Sequence, residues 1–240
     1  MSRIVTVSDI DETLTAEDSI LAFFDRFGKR RRAEQVWQWS RANPEKIESE
    51  FGIPRSDVRP SMDVELVLKE ILAEGNRIDV AEFEKTARST ALAPGAKKLM
   101  ATASSLGDVF LLSAMFQPQA EAFARRLGVP AENAVATRLF ISGRRVTGFL
   151  GPLMEGTAKA DALDVIAKQT GIPLSRFAGI GDSASDAPFI RRIVRAGGLG
   201  MAVTGDTALN QAGAVRVENL AEAGKRLEAF GEKMEKAVEK

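Results

Sequence analysis

Cysteine, histidine and tyrosine are all absent from the 240 residues, and each absence removes a class of chemistry. Without cysteine there are no disulfides, no thiolate zinc sites and no cysteine nucleophile. Without histidine, any general acid or base must be Asp, Glu or Lys, and any metal must be held mainly by oxygen. An all-oxygen site favours a hard cation, so Mg²⁺ is the leading candidate cofactor.

An excess of charge of either sign is also missing. Lys and Arg total 33 and Asp and Glu total 33, so no basic field attracts nucleic acid or an anionic membrane. No apolar run is long enough to span a bilayer, and residues 1–8 contain no signal-peptide core. We therefore expect a cytoplasmic protein, monomeric or homodimeric, with no nucleic-acid or membrane partner.

The apolar pattern divides the chain into two parts. Residues 3–8 predict a buried strand that ends at Asp9, and residues 15–91 show only helical patterning. From residue 92 onward strands alternate with helices, which predicts a mainly parallel sheet covered by helices on both faces. The predicted fold class is therefore α/β, with a Rossmann-like three-layer core made of residues 1–14 and 92–240 and an inserted all-helical cap domain at 15–91.

The later part of the chain gives more specific expectations. The C-terminal helix repeats apolar residues every seven positions, which favours packing on the parent domain over a coiled-coil dimer seam. The basic run at residues 29–32 is interpreted as a solvated helix end rather than as a site for an acidic substrate. The strands predicted after the cap are 108–112, 135–140, 144–149, 176–180, 199–203 and 215–217, and the helices are 117–127, 157–170 and 187–195.

Carboxylates follow two of the predicted strands. Asp9 and Asp11 form a pair that is common by chance, but this pair directly follows a buried strand, at the edge where open α/β sheets bind ligands. Asp182 follows the strand 176–180, and Asp186 precedes a helix, where a plain helix cap explains it about equally well. Carboxylates that end two different strands repel each other unless a cation lies between them. The sequence therefore predicts a metal.

A serine and a lysine complete the predicted site. Ser113 ends the strand 108–112, although a lone serine there is usually a turn residue. Lys159 lies in the first turn of the helix 157–170, where its charge opposes the helix dipole. With the carboxylates they supply an oxygen nucleophile, a cation, a balancing lysine and a hydroxyl donor, which phosphoryl transfer needs. An aspartyl-phosphate intermediate suits a chain that lacks His and Cys.

The segments that carry these residues resemble the haloacid-dehalogenase-type phosphatases. They are VSDIDETLT, LLSAM, the lysine of GTAKADAL, and GIGDSASDAPF. Within that family the chain is similar to the phosphoserine-phosphatase-like subgroup, whose members carry a helical cap. The resemblance covers residues 1–14 and roughly 92–214, and it implies a Mg²⁺-dependent phosphatase for a small phosphorylated metabolite, with phosphoserine as a candidate substrate.

The resemblance also implies a role for each matching residue. Asp9 is the nucleophile and a metal ligand, and Asp11 is the general acid and base, with its backbone carbonyl on the metal. Asp182 ligates Mg²⁺, and Asp186 orients metal-bound water or the lysine. The residues that bind the phosphoryl group are Thr13, Ser113, Ala114 through its N–H, and Lys159.

The chain departs from the subgroup at three candidate specificity residues. Met115 replaces a glycine and is expected to narrow the pocket floor. Asp18 and Lys69 stand near the places of a Glu and an Arg that recognise an amino-acid substrate, and Lys lacks the bidentate fork of Arg. Two alternatives stay open: a phosphotransferase on the same fold, and a non-catalytic phosphate-ligand-binding protein. The second is disfavoured because binding alone does not need Asp11.

Overall fold

Seven strands form one sheet within the described residues of the computed structural model, which are 3–42, 62–150, 153–154 and 156–236. The strand order is β4-β3-β2-β1-β5-β6-β7, and neighbours are parallel except β3 and β4. The strands are β1 Ile4–Ser8, β2 Gly107–Phe116, β3 Ala134–Ser142, β4 Arg145–Leu150, β5 Phe177–Gly181, β6 Leu199–Ala202 and β7 Val215–Arg216.

Ten α-helices lie in the same described ranges. Five of them lie between β1 and β2: α1 Ser19–Asp25, α2 Arg30–Ala42, α3 Met62–Ala73, α4 Val80–Ser89 and α5 Ala96–Leu106. The other five follow later strands: α6 Gln117–Leu127, α7 Thr157–Thr170, α8 Ala187–Arg195, α9 Thr207–Gln211 and α10 Leu220–Lys236. Single 3₁₀ turns cover Ala131–Asn133 and Leu174–Arg176.

The sheet is buried on both faces. Ile4 of β1 belongs to one apolar cluster, with side chains of α5, α6 and α10, whereas Val5 and Val7 belong to another, with side chains of α7, α8 and α9. Because successive residues of a strand point to opposite faces, a buried β1 must be apolar on both. The predicted α/β class, with a mainly parallel sheet in three layers and an inserted helical segment, is confirmed.

β2 is longer than predicted, so Ser113 lies within the strand and not at its end. β1 ends at Ser8, which lies opposite Leu111, but β2 continues beside β3 to Phe116. Ser113 pairs with Ala136, and the register shifts between Ser113 and Phe116. The prediction that Ser113 ends its strand is therefore wrong, because pairing with β3 extends β2 beyond the end of β1.

The chain leaves the sheet and returns to it at two adjacent segments. Thr15 and Leu92 form an antiparallel bridge, the N–H of Ala16 donates to the carbonyl of Ala91 at 2.9 Å, and the N–H of Ala93 donates to that of Leu14 at 2.9 Å. The helices α1 to α4 lie between these crossings. The exact limits of the cap, residues 15–91, stay a prediction, and residues 43–61 of it lie outside the described ranges.

The basic run at residues 29–32 is largely paired with glutamates. Lys29 forms an ion pair with Glu74, Arg30 bonds Glu34 at 3.0 Å, and Arg32 bonds Glu70 at 2.7 Å, with most of these side chains partly exposed. This agrees with the interpretation of a solvated helix end.

The C-terminal helix packs on its own domain. α10 lies against α5 and buries Leu220, Ala223, Leu227 and Phe230. The favoured packing interpretation holds over these residues, while Ala237 of the predicted repeat lies outside the described ranges. None of the helices in the described ranges is both long and apolar enough to cross a membrane.

Candidate active site

Asp9 lies at the point where β1 and β5 end together. Its N–H donates to the carbonyl of Ile180 at 3.0 Å, which fixes the backbone directly after β1. The chain then turns, because the N–H groups of Leu14 and Thr15 both donate to the carbonyl of Ile10, and Glu12 takes a positive φ of 55°. Asp9 is thereby buried at the carboxyl edge of the sheet, as the sequence predicts.

Lys159 joins two carboxylates of the site. It projects from the first turn of α7, is only 1% exposed, and its Nζ lies 2.6 Å from Oδ1 of Asp9 and 2.6 Å from Oδ1 of Asp186. Burial alone lowers the pKa of a lysine, but the charges of Asp186 and Asp9 outweigh it and raise the pKa of Lys159 above its usual value. The lysine therefore stays cationic at neutral pH.

Both carboxylate oxygens of Asp186 accept hydrogen bonds from the protein. Its Oδ1 accepts from Lys159, and its Oδ2 accepts the N–H groups of Asp182 at 3.0 Å and Ser183 at 3.3 Å. It occupies the N-cap position of α8, yet its side chain makes no capping hydrogen bond there. The helix-cap explanation therefore fails, because the carboxylate faces the site instead of the helix.

Asp182 follows β5 directly and completes the acidic cluster. Its Oδ1 accepts from the hydroxyl of Thr13 at 3.2 Å, and its carbonyl accepts from the hydroxyl of Thr204. One oxygen each of Asp9, Asp182 and Asp186 lie within 4.8 Å of one another. This buried group of carboxylates can hold a metal ion.

Burial and the charges of neighbouring carboxylates raise the pKa values of Asp9 and Asp182. Burial, and then the charges of Asp9 and Asp186, raise the pKa of Asp182 to about 9. Burial also raises the pKa of Asp9, to about 7, even though Lys159 acts in the opposite direction. Carboxyls held this close to one another resist ionisation unless further positive charge lies among them.

Asp11 is held by the first residue of α1. Its Oδ1 accepts the N–H of Ser19 at 3.0 Å. Burial and the neighbouring charge of Asp18 raise the pKa of Asp11 well above its usual value, while hydrogen bonds from Ser19 act against the rise. A carboxyl with a raised pKa keeps its proton nearer to neutral pH and can act as a general acid.

The serine segment of β2 lies at the same edge of the sheet and is enclosed by the protein. Ser113 is buried, and its Oγ accepts the N–H of Met115 at 3.3 Å. The carbonyl of Ala114 accepts from the hydroxyl of Thr137 at 2.7 Å. Met115 is fully buried in the larger apolar cluster.

The two cap candidates occupy different positions. Asp18 is the N-cap of α1, where its carboxylate accepts the N–H groups of Ile20 at 2.8 Å and Leu21 at 3.1 Å. Lys69 is exposed on α3. The roles of Asp18, Lys69 and Met115 in specificity stay predictions.

Three contacts to the site residues were not foreseen from the sequence. Gly181 permits the approach of Asp186, since a Cβ at residue 181 would lie 2.6 Å from the Cβ of Asp186. Thr204 holds the carbonyl of Asp182, and Gln119 of α6 holds Ser19. The sequence carries a signal for Gly181, because a glycine where a strand ends often marks a place where another part of the chain approaches the backbone closely. The contacts of Thr204 and Gln119 depend on tertiary structure alone.

Comparison with known proteins gives consistent results. Residues 6–191 match the family described as haloacid dehalogenase-like hydrolases. A phosphoserine phosphatase of Streptomyces coelicolor is 27% identical over 210 residues, which cover 87% of this chain but 46% of that protein, so the chain spans less than half its length.

Two solved structures show the same fold. A substrate-bound phosphoserine phosphatase superposes with a TM-score of 0.68 at 20% identity, covering 95% of this chain and 99% of that one. A gene product of Archaeoglobus fulgidus superposes with a TM-score of 0.75 at 16% identity, covering 99% of this chain and 86% of that one. At these identities the likeness concerns the fold alone.

Proposed function

Since the chain belongs to the haloacid dehalogenase-like hydrolases, with residues 6–191 matching that family, we propose that it is a Mg²⁺-dependent phosphatase. It hydrolyses a small phosphomonoester through an aspartyl phosphate on Asp9. The observation that carries the proposal is the contact of Lys159 with both Asp9 and Asp186 at 2.6 Å, beside Asp182, at one edge of the sheet. Phosphoryl transfer depends on such dense, preorganised charge.

The residues present fit a hard cation. Every donor in the cluster is a carboxylate oxygen, which Mg²⁺ prefers. Both oxygens of Asp186 accept hydrogen bonds from the protein, so Asp9 and Asp182 are the side chains that would hold the ion, and Asp186 supports them. When bound, Mg²⁺ supplies positive charge that stabilises the phosphate oxygens and keeps the carboxylates ionised.

The protein residues account for both chemical steps. In the first, a carboxylate oxygen of Asp9 forms a bond to phosphorus, the bond from phosphorus to the leaving oxygen breaks, and Asp11 gives its proton to that oxygen. In the second, the Asp11 carboxylate takes a proton from water as the water oxygen bonds to phosphorus and the bond to Asp9 breaks. Inorganic phosphate leaves, and Asp9 and Asp11 return to their starting states.

Phosphate recognition is assigned to groups that surround Asp9. Lys159 balances charge, and the hydroxyl of Ser113 and the N–H of Ala114 bind phosphate oxygens, since the Ser113 hydroxyl can donate its hydrogen while its oxygen accepts the N–H of Met115. Thr13 supports the site through its hydrogen bond to Asp182. Phosphoserine is the first substrate to test, because a phosphoserine phosphatase of Streptomyces coelicolor is among the relatives.

Turnover of p-nitrophenyl phosphate and phosphoserine tests this function. The purified protein is assayed with Mg²⁺, with EDTA, and as Asp9→Asn with Mg²⁺. We expect turnover only in the first condition, with a loss of roughly 10³-fold or more in the variant, since the nucleophile is removed. Equal turnover in all three conditions would exclude the mechanism, and binding of phosphate esters without turnover would favour a non-catalytic phosphate-binding protein.

A further inference from the structure

Gln119 is a buried amide that contacts the inserted helices from the core. It lies in the first turn of α6, directly after β2, and has no exposed surface. Its Nε2 donates to the carbonyl of Ser19 at 3.0 Å and to the Oγ of Ser19 at 2.8 Å. Its Oε1 is buried without a hydrogen-bond partner in the described part of the chain. Within the described ranges, both hydrogen bonds of the Gln119 side chain are therefore made to Ser19.

Ser19 in turn is the residue that holds Asp11. As the first residue of α1 it has a backbone N–H with no partner inside the helix, and this N–H donates to Oδ1 of Asp11 at 3.0 Å. Asp18 takes the next two N–H groups of the helix, those of Ile20 and Leu21. The N–H of Ser19 is therefore used by Asp11, whereas the next two N–H groups of α1 are used by the N-cap residue Asp18.

These contacts form a continuous link from the core to the site. Gln119 contacts both the carbonyl and the hydroxyl of Ser19, so it holds in place the residue whose backbone N–H contacts Asp11. We propose that Gln119 is a positioning residue for Asp11, which holds the carboxyl where it can give its proton to the leaving oxygen. The inference rests on the proposed function, since it needs Asp11 to be the general acid.

A purely structural role is the competing explanation. A buried amide oxygen without a partner opposes folding, and this offsets what the two donated hydrogen bonds contribute. Replacing Gln119 by Met keeps the shape of the side chain and removes both the donor and the unpaired oxygen. The melting temperature should therefore fall only moderately, because loss of the unpaired oxygen offsets part of the cost of removing the donor to the hydroxyl and carbonyl of Ser19, while the orientation of Asp11 is lost.

The leaving group separates the two explanations. An alkyl ester such as phosphoserine needs a proton on its leaving oxygen, whereas p-nitrophenolate is stable enough to leave without one. Loss of general-acid orientation therefore lowers kcat/KM more for the alkyl ester, but loss of folded protein or of phosphate binding lowers both equally. The ratio of kcat/KM for the two esters is the readout, because it reports on formation of the aspartyl phosphate and not on its hydrolysis.

The experiment compares three variants with the wild type, using phosphoserine or another alkyl phosphate that the enzyme hydrolyses. Asp11→Asn gives the change in the ratio of kcat/KM values that is expected when the general acid is lost completely, and we call such a change selectivity. Gln119→Met is expected to lower kcat/KM roughly 10- to 100-fold for the alkyl ester and about 3-fold or less for p-nitrophenyl phosphate, since small misplacements of a catalytic group cost up to about 10²-fold. Gln117→Met is the matched control.

Gln117 lies in the same turn of α6 but makes contacts elsewhere. Its Nε2 donates to the carbonyl of Ala134 at 2.8 Å, and its Oε1 accepts the N–H of Ala136 at 2.8 Å. Gln117→Met thus removes a similar number of hydrogen bonds to β3, and it is expected to leave the ratio of kcat/KM values at the wild-type value.

The outcomes are distinct. Selectivity in Asp11→Asn and in Gln119→Met, but not in Gln117→Met, supports the positioning role. Selectivity in Asp11→Asn alone overturns it while leaving the proposed function intact. If Asp11→Asn lowers kcat/KM equally for the two esters, Asp11 is not the general acid, and the inference about Gln119 fails as well. If Gln119→Met does not fold, Ser19→Ala is measured instead, since it removes the hydroxyl that Gln119 contacts, and an unchanged ratio there also overturns the inference.

Discussion

At the scale of single residues, Lys159 is the side chain on which the buried charges depend. It is the cation that contacts both Asp9 and Asp186, and all three are almost completely enclosed. Removing one partner of a buried ion pair is costly because the remaining charge is left without compensation. The lysine therefore holds the site together before any ligand binds.

We predict that Lys159→Met lowers the free energy of unfolding by about 3–5 kcal/mol, the range for a buried charge that loses its partner. Urea denaturation in EDTA measures this effect. Lys168→Met is the control, because Lys168 is exposed near the end of the same helix and its loss should cost about 0.5 kcal/mol or less. Equal destabilisation by the two substitutions would contradict this account of the site.

Metal affinity should depend on pH with a definite sign. Without metal, the pKa of Asp9 is raised to about 7 and that of Asp182 to about 9, so both carboxyls retain protons that a cation must displace. A raised carboxyl pKa also means that ionisation opposes folding, so the metal-free protein loses stability as the pH rises towards these values. Both effects make Mg²⁺ more stabilising at higher pH.

We therefore predict that Mg²⁺ affinity rises between about pH 6 and about pH 9, and that binding releases protons. Calorimetric titration at the two pH values measures it, with the thermal shift caused by Mg²⁺ as a second readout. Asp182→Asn should remove most of the response. An affinity that is equal at both pH values, or that falls as the pH rises, would contradict the assignment of these ligands.

At the scale of elements, the turn from β5 into α8 positions the acidic cluster. Asp186 reaches back to the N–H of Asp182, and Gly181 makes room for it. The Cβ of an alanine at residue 181 would lie 2.6 Å from both Cβ and Cγ of Asp186, which is closer than real atoms approach. Asp186 and Lys159 would have to shift together.

We predict that Gly181→Ala lowers kcat roughly 10²-fold, by analogy with other small displacements of catalytic groups. The control is Gly179→Ala in the same strand, whose added Cβ meets apolar side-chain atoms of α8, with Ile193 Cδ1 at 2.9 Å, rather than a site residue. Both variants should lose stability, but only Gly181→Ala should lose activity per folded molecule, and similar losses of activity in both would contradict the prediction.

The elements also show what sequence patterns can and cannot establish. The predicted bounds of α6, α7 and α8 agree with the structure, because Gly128 and Gly171 end α6 and α7 in left-handed conformations and Pro188 lies in the first turn of α8. β2 runs four residues past its predicted end because its pairing with β3 is a tertiary contact.

The residues of the candidate site also fall into those that local pattern predicts and those that depend on tertiary contacts. Asp9, Asp182 and Lys159 were predicted because each lies beside a strand or helix terminus that local pattern defines. Gln119 was missed because its partner, Ser19, lies 100 residues away in sequence. Such a contact leaves no local signal, so it became visible only once α1 and α6 were placed together.

At the scale of the whole molecule, aromatic packing attaches the inserted helices to the sheet. Phe23 of α1 and Phe83 of α4 stack at 4.5 Å between ring centroids, and each lies 5.4 Å from the ring of Phe116 at the end of β2. Phe116 lies three residues after Ser113, so the strand that carries the proposed phosphate-binding serine also anchors the insertion.

We predict that Phe116→Ala lowers the free energy of unfolding by about 3–5 kcal/mol, as expected for a buried phenylalanine. The insertion should become more sensitive to limited proteolysis. Phe140→Ala is the control, because Phe140 on β3 is 52% exposed, and it should change stability by about 0.5 kcal/mol or less. Equal effects of the two substitutions would show that the aromatic contacts do not join the insertion to the core.

The central claim is that Asp9 carries the phosphoryl group during turnover. Acid quenching of the enzyme with excess substrate, followed by borohydride reduction and peptide mass spectrometry, locates an acyl phosphate because reduction converts that aspartate to homoserine. The account predicts reduction at Asp9, dependent on Mg²⁺ and on substrate, with Asp11 and Asp182 unchanged. Sustained turnover with Asp9 unmodified, or with the modification on another residue, would contradict it.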